Sequence, residues 1–395
     1  MLTGSQPGSR RPGEEVVRYR CWLEGLIGIP ATDGNRIEIL RNGDQILPAM
    51  LDAIGQATTS VDLATFVLKG AIAEEFCRVL AERCRAGVRV RVLADAFGSL
   101  GMDKQVVGRL RAAGALVDFF RPLNNLRVWE TFHRGHRKIL VCDGEVGFTG
   151  GVGIGDVWRG DARDPSEWRD THFRVEGPAV DGLMGAFVHN WAETRRPLLD
   201  QGDRFPERGA PGASTVQVVR GGARTGWGDM STLVHVLAGL ARRRLRICAA
   251  YFVPDHAILA LLCETARRGV AVELLVNGPH ADKRVSRLAS EAQFELLLQA
   301  GVRVWTFQPT MLHAKIILVD GTVASTGSAN LNARSLVLDE ELNLVVCDPD
   351  VVRVLESHFD EDLERAQEVA LDEWSGRGLT QKGKEALPGF MARHL

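Results

Sequence analysis

Apolar and polar positions sort this chain into short alternating blocks. The run Val61–Leu68 is almost wholly apolar, the pattern of a buried strand. Ile72–Arg85 follows, with Ile72, Phe76, Val79, Leu80 and Arg83 at helical spacing. A strand at Val88–Leu93, a helical stretch at Lys104–Ala113 and a strand at Leu116–Phe120 come next. Strands alternating with helices short enough to act as crossovers predict an α/β fold, with a mixed, mostly parallel β-sheet flanked by helices.

The blocks then recur. Arg85–Leu93 is echoed by Arg268–Leu275, Ala113–Val117 by Ala300–Val304, and Val61–Val67 by Leu245–Val253. Each series reaches a His-x-Lys sequence, His136-Arg137-Lys138 and His313-Ala314-Lys315, 177 residues apart. A repeat of domain length predicts a duplicated unit. One lobe spans residues 35–200 and a second 214–368, related by a pseudo-two-fold axis, with 1–34 and 369–395 as terminal extensions. Arg196 to Ser214, punctuated by Pro197, Gly202, Pro206, Gly209, Pro211 and Gly212, reads as the linker.

Composition adds mainly exclusions. The 395 residues are 45% apolar and 25% charged, which excludes a disordered or fibrous chain. Lys plus Arg number 48 against 50 Asp plus Glu, a net charge of −2 that argues against a protein built to coat nucleic acid. Only Tyr19 and Tyr251 are tyrosines, so stacking on bases is limited too. No run of about 18 apolar residues exists; the most apolar stretch, Leu245–Cys263, is broken by Arg246, Pro254, Asp255 and His256. Seven scattered cysteines without a C-x-x-C pair predict reduced, buried thiols. The N-terminus lacks the pattern of a secretory signal, so a cytoplasmic location is expected.

The chemistry lies in the repeated motif. Residues 136–151 and 313–328 both read H-x-K-x4-D-G-x5-G-[GS]. In an extended strand His and Lys of H-x-K share one face, because side chains alternate with a period of two. Asp-Gly signals a tight hairpin, which predicts a structural turn role for Asp143 and Asp320. The returning strands end in Gly150-Gly151 and Gly327-Ser328, where small residues let backbone amides approach an anion. Each half thus offers an imidazole, an ammonium and amides: half a phosphate site, with the whole site expected where the lobes meet. A working imidazole is usually oriented by a carboxylate. Asp170 and Glu341, each near the head of an alternating segment, are the expected partners, with Asp164 and Glu340 as alternatives. No cluster has metal-ligand spacing, so neither metal nor cofactor is expected.

These residues resemble the phospholipase D superfamily, whose signature is the duplicated H-x-K-x4-D motif, from about Gly34 to Asp362. Gly151–Asp156, Trp168–His172, Val175–Pro178, Tyr251–Asp255, Gln308–Lys315 and Gly327–Ser335 are similar, more narrowly, to bacterial cardiolipin synthases of the type without N-terminal transmembrane helices. The resemblance implies metal-independent phosphatidyl transfer through a phosphohistidine, with His136 as nucleophile and His313 as acid. Lys138 and Lys315 would neutralise the phosphate, with Gly150, Gly151, Ser328 and Asn330 contributing donors. It implies phosphatidylglycerol as substrate and cardiolipin as product; hydrolysis to phosphatidic acid is the alternative, and a nuclease or phosphodiesterase is a more distant one. One departure stands out: Gly153 occupies the place where family first motifs commonly carry Asn, as the second motif does at Asn330. Peripheral contact with the inner face of the cell membrane is expected, through Trp22–Pro30, Trp374–Leu395 or the Arg242–Arg246 cluster. One chain would suffice for a complete site.

Overall fold

The computed structural model describes residues 12–122, 133–194, 205–222 and 229–376. The first half contains β1 (Thr32–Arg41), β2 (Ser60–Thr65), β3 (Arg89–Asp95), β4 (Leu116–Phe120), β5 (Ile139–Cys142), β6 (Val146–Gly150) and β7 (Thr171–Glu176). The second contains β8 (Ser214–Gly221), β9 (Arg244–Ala249), β10 (Phe252–Val253), β11 (Ala271–Asn277), β12 (Arg303–Phe307), β13 (Lys315–Val319), β14 (Val323–Gly327), β15 (Leu331–Asn332), β16 (Glu341–Cys347) and β17 (Ala366–Glu368). The helices are α1 (Pro12–Ile27), α2 (Asn42–Gln56), α3 (Ala71–Arg85), α4 (Lys104–Ala112), α5 (Ala179–Trp191), α6 (Asp229–Leu240), α7 (His256–Arg267), α8 (Arg284–Glu291), α9 (Phe294–Gln299) and α10 (Pro349–Glu364).

The sheet order states the duplication in three dimensions. It runs β17-β12-β11-β9-β13-β14-β16-β8-β1-β7-β6-β5-β2-β3-β4, so reading outward from the β8–β1 join the two halves repeat the same sequence of equivalents. Parallel pairing in this sheet is confined to β2–β3–β4 and β9–β11–β12; the remaining pairs are antiparallel. The expected parallel character therefore holds only for the outer arms. The reason is local: each H-x-K segment feeds a strand closed by a two-residue Asp-Gly turn, and strands joined by such a turn pair antiparallel. Asp143 and Gly144 have φ of 55° and 70°, Asp320 and Gly321 54° and 69°, the positive pair that a type I′ turn requires.

Three apolar layers follow. The outer face of the first half packs α2, α3 and α4 through Ile46, Ile54, Phe76, Leu80 and Leu110. The outer face of the second packs α1, α6, α7 and α9 through Leu23, Leu237, Leu262 and Phe294. Between the halves lies a shared core of Phe173, Phe187, Trp191, Leu344, Val352 and Phe359, supplied by strands of both halves with α5 and α10. Burial of each such side chain contributes about 1.5–3 kcal/mol, so the two halves are held as one body.

Of the seven free thiols five are buried, whereas Cys84 is partly exposed and Cys21 exposed on α1. Residues 22–27 belong to α1, which Tyr19 and Leu23 anchor to the second half. The backbone amides of Arg242, Arg243 and Arg244 bind Asp320, while the guanidinium groups of Arg243, Arg244 and Arg246 pair with Glu15, Glu356 and Glu273. Residues 195–204 of the linker and 377–395 of the C-terminal segment lie outside the described residues. No helix among the described residues is long and apolar enough to cross a membrane.

Candidate active site

Each histidine precedes its strand instead of lying in it. β5 begins at Ile139 and β13 at Lys315, so His136 and His313 fall outside the ladders. Their amides bond across the molecule instead: His136 N–H donates to Glu340 O (3.0 Å), and His313 N–H to Arg169 O (2.7 Å). In return Glu340 N–H donates to Arg134 O (2.8 Å) and Arg169 N–H to Met311 O (2.9 Å). Glu340 and Arg169 immediately precede Glu341 and Asp170. The backbone alone therefore brings each imidazole beside the carboxylate of the opposite half.

The side chains complete that exchange. His136 Nδ1 lies 2.9 and 3.0 Å from the two oxygens of Glu341, and His313 Nδ1 lies 2.7 Å from Asp170 Oδ2. With Nδ1–H donated to a carboxylate, Nε2 of each ring is left for reaction. Both carboxylates are fully buried, and the histidines are nearly so. Lys138 Nζ donates to His136 O (2.7 Å) and Lys315 Nζ to His313 O (2.5 Å), folding each ammonium back beside its own imidazole. Asp164 sits on an exposed loop, bonded to Ser166, and Glu340 pairs with Arg137 (2.8 Å).

Burial sets the electrostatics. It pushes His136 well below the ordinary imidazole value and His313 down to about 4, with the lysines adding to the effect. It lowers Lys138 to about 7 and Lys315 to about 8. The carboxylates part company. Burial raises Glu341 to about 7, against the pull of Lys138. At Asp170 the same burial is outweighed by His313 and Lys315, and the group falls to about 2. Two buried lysine ammonium groups side by side leave a strong site for an anion, whose arrival would restore their protons.

The expected phosphate donors are differently employed. Gly151 N–H donates to Thr171 O (3.2 Å) and Ser328 N–H to Leu342 O (2.9 Å), closing the sheet. The Ser328 hydroxyl donates to Glu341, because its side chain faces the head of β16. At the equivalent Gly151 a Cβ would stand 2.1 Å from Asp170 Oδ1, so the glycine is the space in which Asp170 sits. Gly150 pairs with His172 in the β6–β7 ladder. Asn330 is buried and its amide reaches Ser335 (3.4 Å). Asp143 and Asp320 lie at the far ends of the hairpins, where Asp143 accepts from the amides of Thr58, Thr59 and Ser60, and Asp320 from those of Arg242, Arg243 and Arg244.

Several neighbours carry no signal in the motif. Trp158 meets His313 edge-on (5.3 Å) and donates its indole N–H to Asp170 Oδ2 (3.0 Å). Trp168 (5.2 Å) and Tyr251 (6.3 Å) also border His313, whereas Phe66 stands edge-on to His136 (5.1 Å). The Trp158 ring also accounts for Gly153: a Cβ there would come within 3.0 Å of it, so the indole fills the place of the missing amide. Arg137, the variable residue of the first motif, donates to Glu341 O (3.1 Å), Gly221 O (2.9 Å), Ala186 O (3.0 Å) and Asn190 Oδ1 (2.7 Å). Arg169 similarly donates to Asp170 O (2.6 Å) and to Asp362 (2.9 Å). A buried arginine therefore grips the backbone carbonyl of each histidine-holding carboxylate. No group of three or more His, Cys, Asp or Glu residues among those described could hold a metal ion.

The family described as cardiolipin synthase, phospholipase D-like domain, matches residues 50–156 and 236–363, more than half of the chain. Cardiolipin synthase 1 of Bacillus cereus is 32% identical over 376 residues, covering 92% of this chain and 73% of that protein. A cardiolipin synthase of Geobacillus kaustophilus is 33% identical over 367 residues, covering 92% and 73%. Among solved structures, the phosphatidylserine synthase of Haemophilus influenzae superposes with a TM-score of 0.73 at 15% identity, over 96% of this chain and 100% of that one. The polyphosphate kinase of Porphyromonas gingivalis gives 0.57 at 14% identity, over 86% and 49%. These two share the fold.

Proposed function

From the premise that the chain belongs to the cardiolipin synthase family with phospholipase D-like domains, and is a phosphatidyltransferase of that type, we propose that it joins two phosphatidylglycerol molecules into cardiolipin and releases glycerol. The observation that carries the chemistry is the pair of reciprocal histidine–carboxylate bonds, His136 with Glu341 and His313 with Asp170. In the first step Nε2 of His136 attacks phosphorus, the bond from phosphorus to the glycerol oxygen breaks, and His313 gives that oxygen its proton. In the second step His313 takes the proton of a glycerol hydroxyl on another phosphatidylglycerol, whose oxygen attacks the phosphohistidine and frees His136. Lys138 and Lys315 balance the charge on the non-bridging oxygens in both steps.

The two carboxylates favour this division of labour. Asp170, held at about 2 despite burial, stays ionised beside His313 and supports its imidazolium, as an acid requires. Glu341, raised by burial to about 7, supports a positive charge on His136 less and leaves it a neutral nucleophile. The reaction needs no metal, and one chain supplies both halves. It takes place at the inner face of the cell membrane, with the protein bound peripherally.

The test is product analysis by mass spectrometry after incubation with phosphatidylglycerol vesicles. Cardiolipin and glycerol from wild type, and neither from His313→Ala, is the expected result. Phosphatidic acid as the sole lipid product would replace transfer with hydrolysis.

A further inference from the structure

Twelve large apolar side chains are at least a third exposed among the described residues, and they concentrate in two places. Val17, Trp22 and Leu26 lie on α1. Phe97, Leu100, Val157, Val285 and Val337 lie on four segments, each of which touches the candidate site. The loop carrying Phe97 and Leu100 rests on Phe66, whose carbonyl accepts from the Ser99 hydroxyl (3.2 Å) and whose ring abuts His136. Val157 adjoins Trp158, which packs on His313. Val285 is in the first turn of α8, next to Lys283, whose ammonium covers the Tyr251 ring (5.0 Å) beside His313. Val337 is on the wide turn Arg334–Leu338, whose Ser335 bonds Glu341.

Charge accompanies these side chains. Lys69, Lys283 and Arg284 stand exposed on or beside the same segments and form no ion pair with the described residues. The acids nearby keep their charge but are bonded inward: Asp156 accepts from the amides of Ala71 and Ile72 and Asp103 from that of Gln105, where the first turns of α3 and α4 partly offset them, and Asp282 accepts from the Tyr251 hydroxyl. Exposed apolar side chains with unpaired cations suit an anionic lipid leaflet, in which the former enter the headgroup boundary and the latter meet phosphates.

We propose that the mouth of the site is itself the membrane-docking surface, a rim of Phe97, Leu100, Val157, Val285 and Val337 that seats on an anionic leaflet with Lys69, Lys283 and Arg284 against the headgroups. The inference rests on the phosphatidyltransfer reading and adds where the lipid is met. It also sets α1 aside. The Tyr19 hydroxyl bonds Asp320 at the hairpin turn, the end of β13 opposite Lys315, so α1 is anchored about 16 Å behind the site, the length of a five-residue strand.

The experiment measures flotation of the full chain with vesicles of phosphatidylglycerol and phosphatidylcholine. Phe97→Ser/Leu100→Ser/Val337→Ser should weaken binding at least about tenfold, and Lys283→Gln/Arg284→Gln should weaken it on anionic vesicles while leaving neutral ones alike. Trp22→Ser/Leu26→Ser should bind as wild type does. The ratio of turnover on vesicles to turnover on dispersed short-chain phosphatidylglycerol should fall about tenfold in the rim variant. Circular dichroism checks folding, and Phe97→Ser alone carries the test if the triple variant unfolds. Wild-type binding by the rim variant, loss of binding in the α1 variant, or a rim variant altered only in oligomeric state would each overturn the proposal. Wild-type protein that binds through the rim but transforms no phospholipid would uphold docking and defeat the reaction reading.

Discussion

The imidazole of His136 is held by Glu341, 205 residues further along the chain, at 2.9 Å. Glu341 heads the strand equivalent to the one that follows Asp170, and Asp170 in turn holds His313. Neither half can orient its own histidine. This exchange makes the two halves chemically inseparable, whatever their separate ability to fold.

The first expectation concerns the carboxylates. Glu341→Gln and Asp170→Asn keep shape but withdraw the charge that fixes each ring, and should lower kcat by roughly a hundred- to ten-thousand-fold with little change in thermal unfolding. Single-turnover kinetics separate the two. Asp170→Asn should slow formation of the phosphohistidine, where His313 is the acid. If both variants kept wild-type kcat, the assigned partners would be wrong.

The pH dependence follows from burial of the lysines. Their ammonium groups, lowered to about 7 and 8, lose protons as pH rises through that range in the free protein. The charge that attracts phosphate is then lost on the alkaline side, so kcat/KM should decline from about pH 7–8 upward. His136, pushed well below its ordinary value, stays neutral as a nucleophile must and places any acid limb lower, whereas His313, lowered to about 4 in the free protein, takes up the proton its acid role needs as the anionic phosphate arrives. A profile flat to pH 10 would contradict this account.

Arg137 offers a stability test. Its guanidinium is buried among acceptors from α5, β8 and β16, and Glu340 is its ion-pair partner. Arg137→Met leaves that buried carboxylate only its longer contacts to Arg121 (3.7 Å) and His189 (3.9 Å) and should cost about 3–5 kcal/mol in urea unfolding. Adding Glu340→Leu should recover much of the loss. Equal stability of Arg137→Met and wild type would show that the contact network is not formed in solution.

Restoring the commoner family residue should do harm here. An Asn at position 153 would drive its Cβ to within 3.0 Å of the Trp158 ring. Gly153→Asn should therefore destabilise by about 1–3 kcal/mol and, by shifting the indole that donates to Asp170, reduce kcat about tenfold or more. Thermal unfolding alongside initial rates reads both. A Gly153→Asn variant as fast and as stable as wild type would refute the packing explanation.

Much of this was legible in the residues. The helices at 71–85 and 104–112 follow from apolar spacing, and the two Asp-Gly turns from their left-handed requirement. The motif also announced His136, Lys138, His313 and Lys315 as a set. The swap between halves was not legible, because pairing within a half and pairing across halves leave the same spacing in the chain. Nor were the tasks of Gly151 and Ser328, which depend on whether a carboxylate from another strand arrives at that spot. Trp158, Trp168 and Tyr251 lie outside the repeated pattern, and Arg137 occupies its variable position. Their roles arise from tertiary contacts, which periodicity does not record.

The lining of the site breaks the symmetry that its frame keeps. Among the described residues His313 is walled by three aromatic rings and His136 by one, and Gly151 with Asp170 answers Ser328 with Glu341. A unit that paired with an identical copy of itself would be bound to change both sides at once. Joined in one polypeptide, the copies are released from that bond, and each substitution alters one side only. Covalent fusion thus permits a donor side and an acceptor side to diverge from a common unit, each adapted to its own substrate.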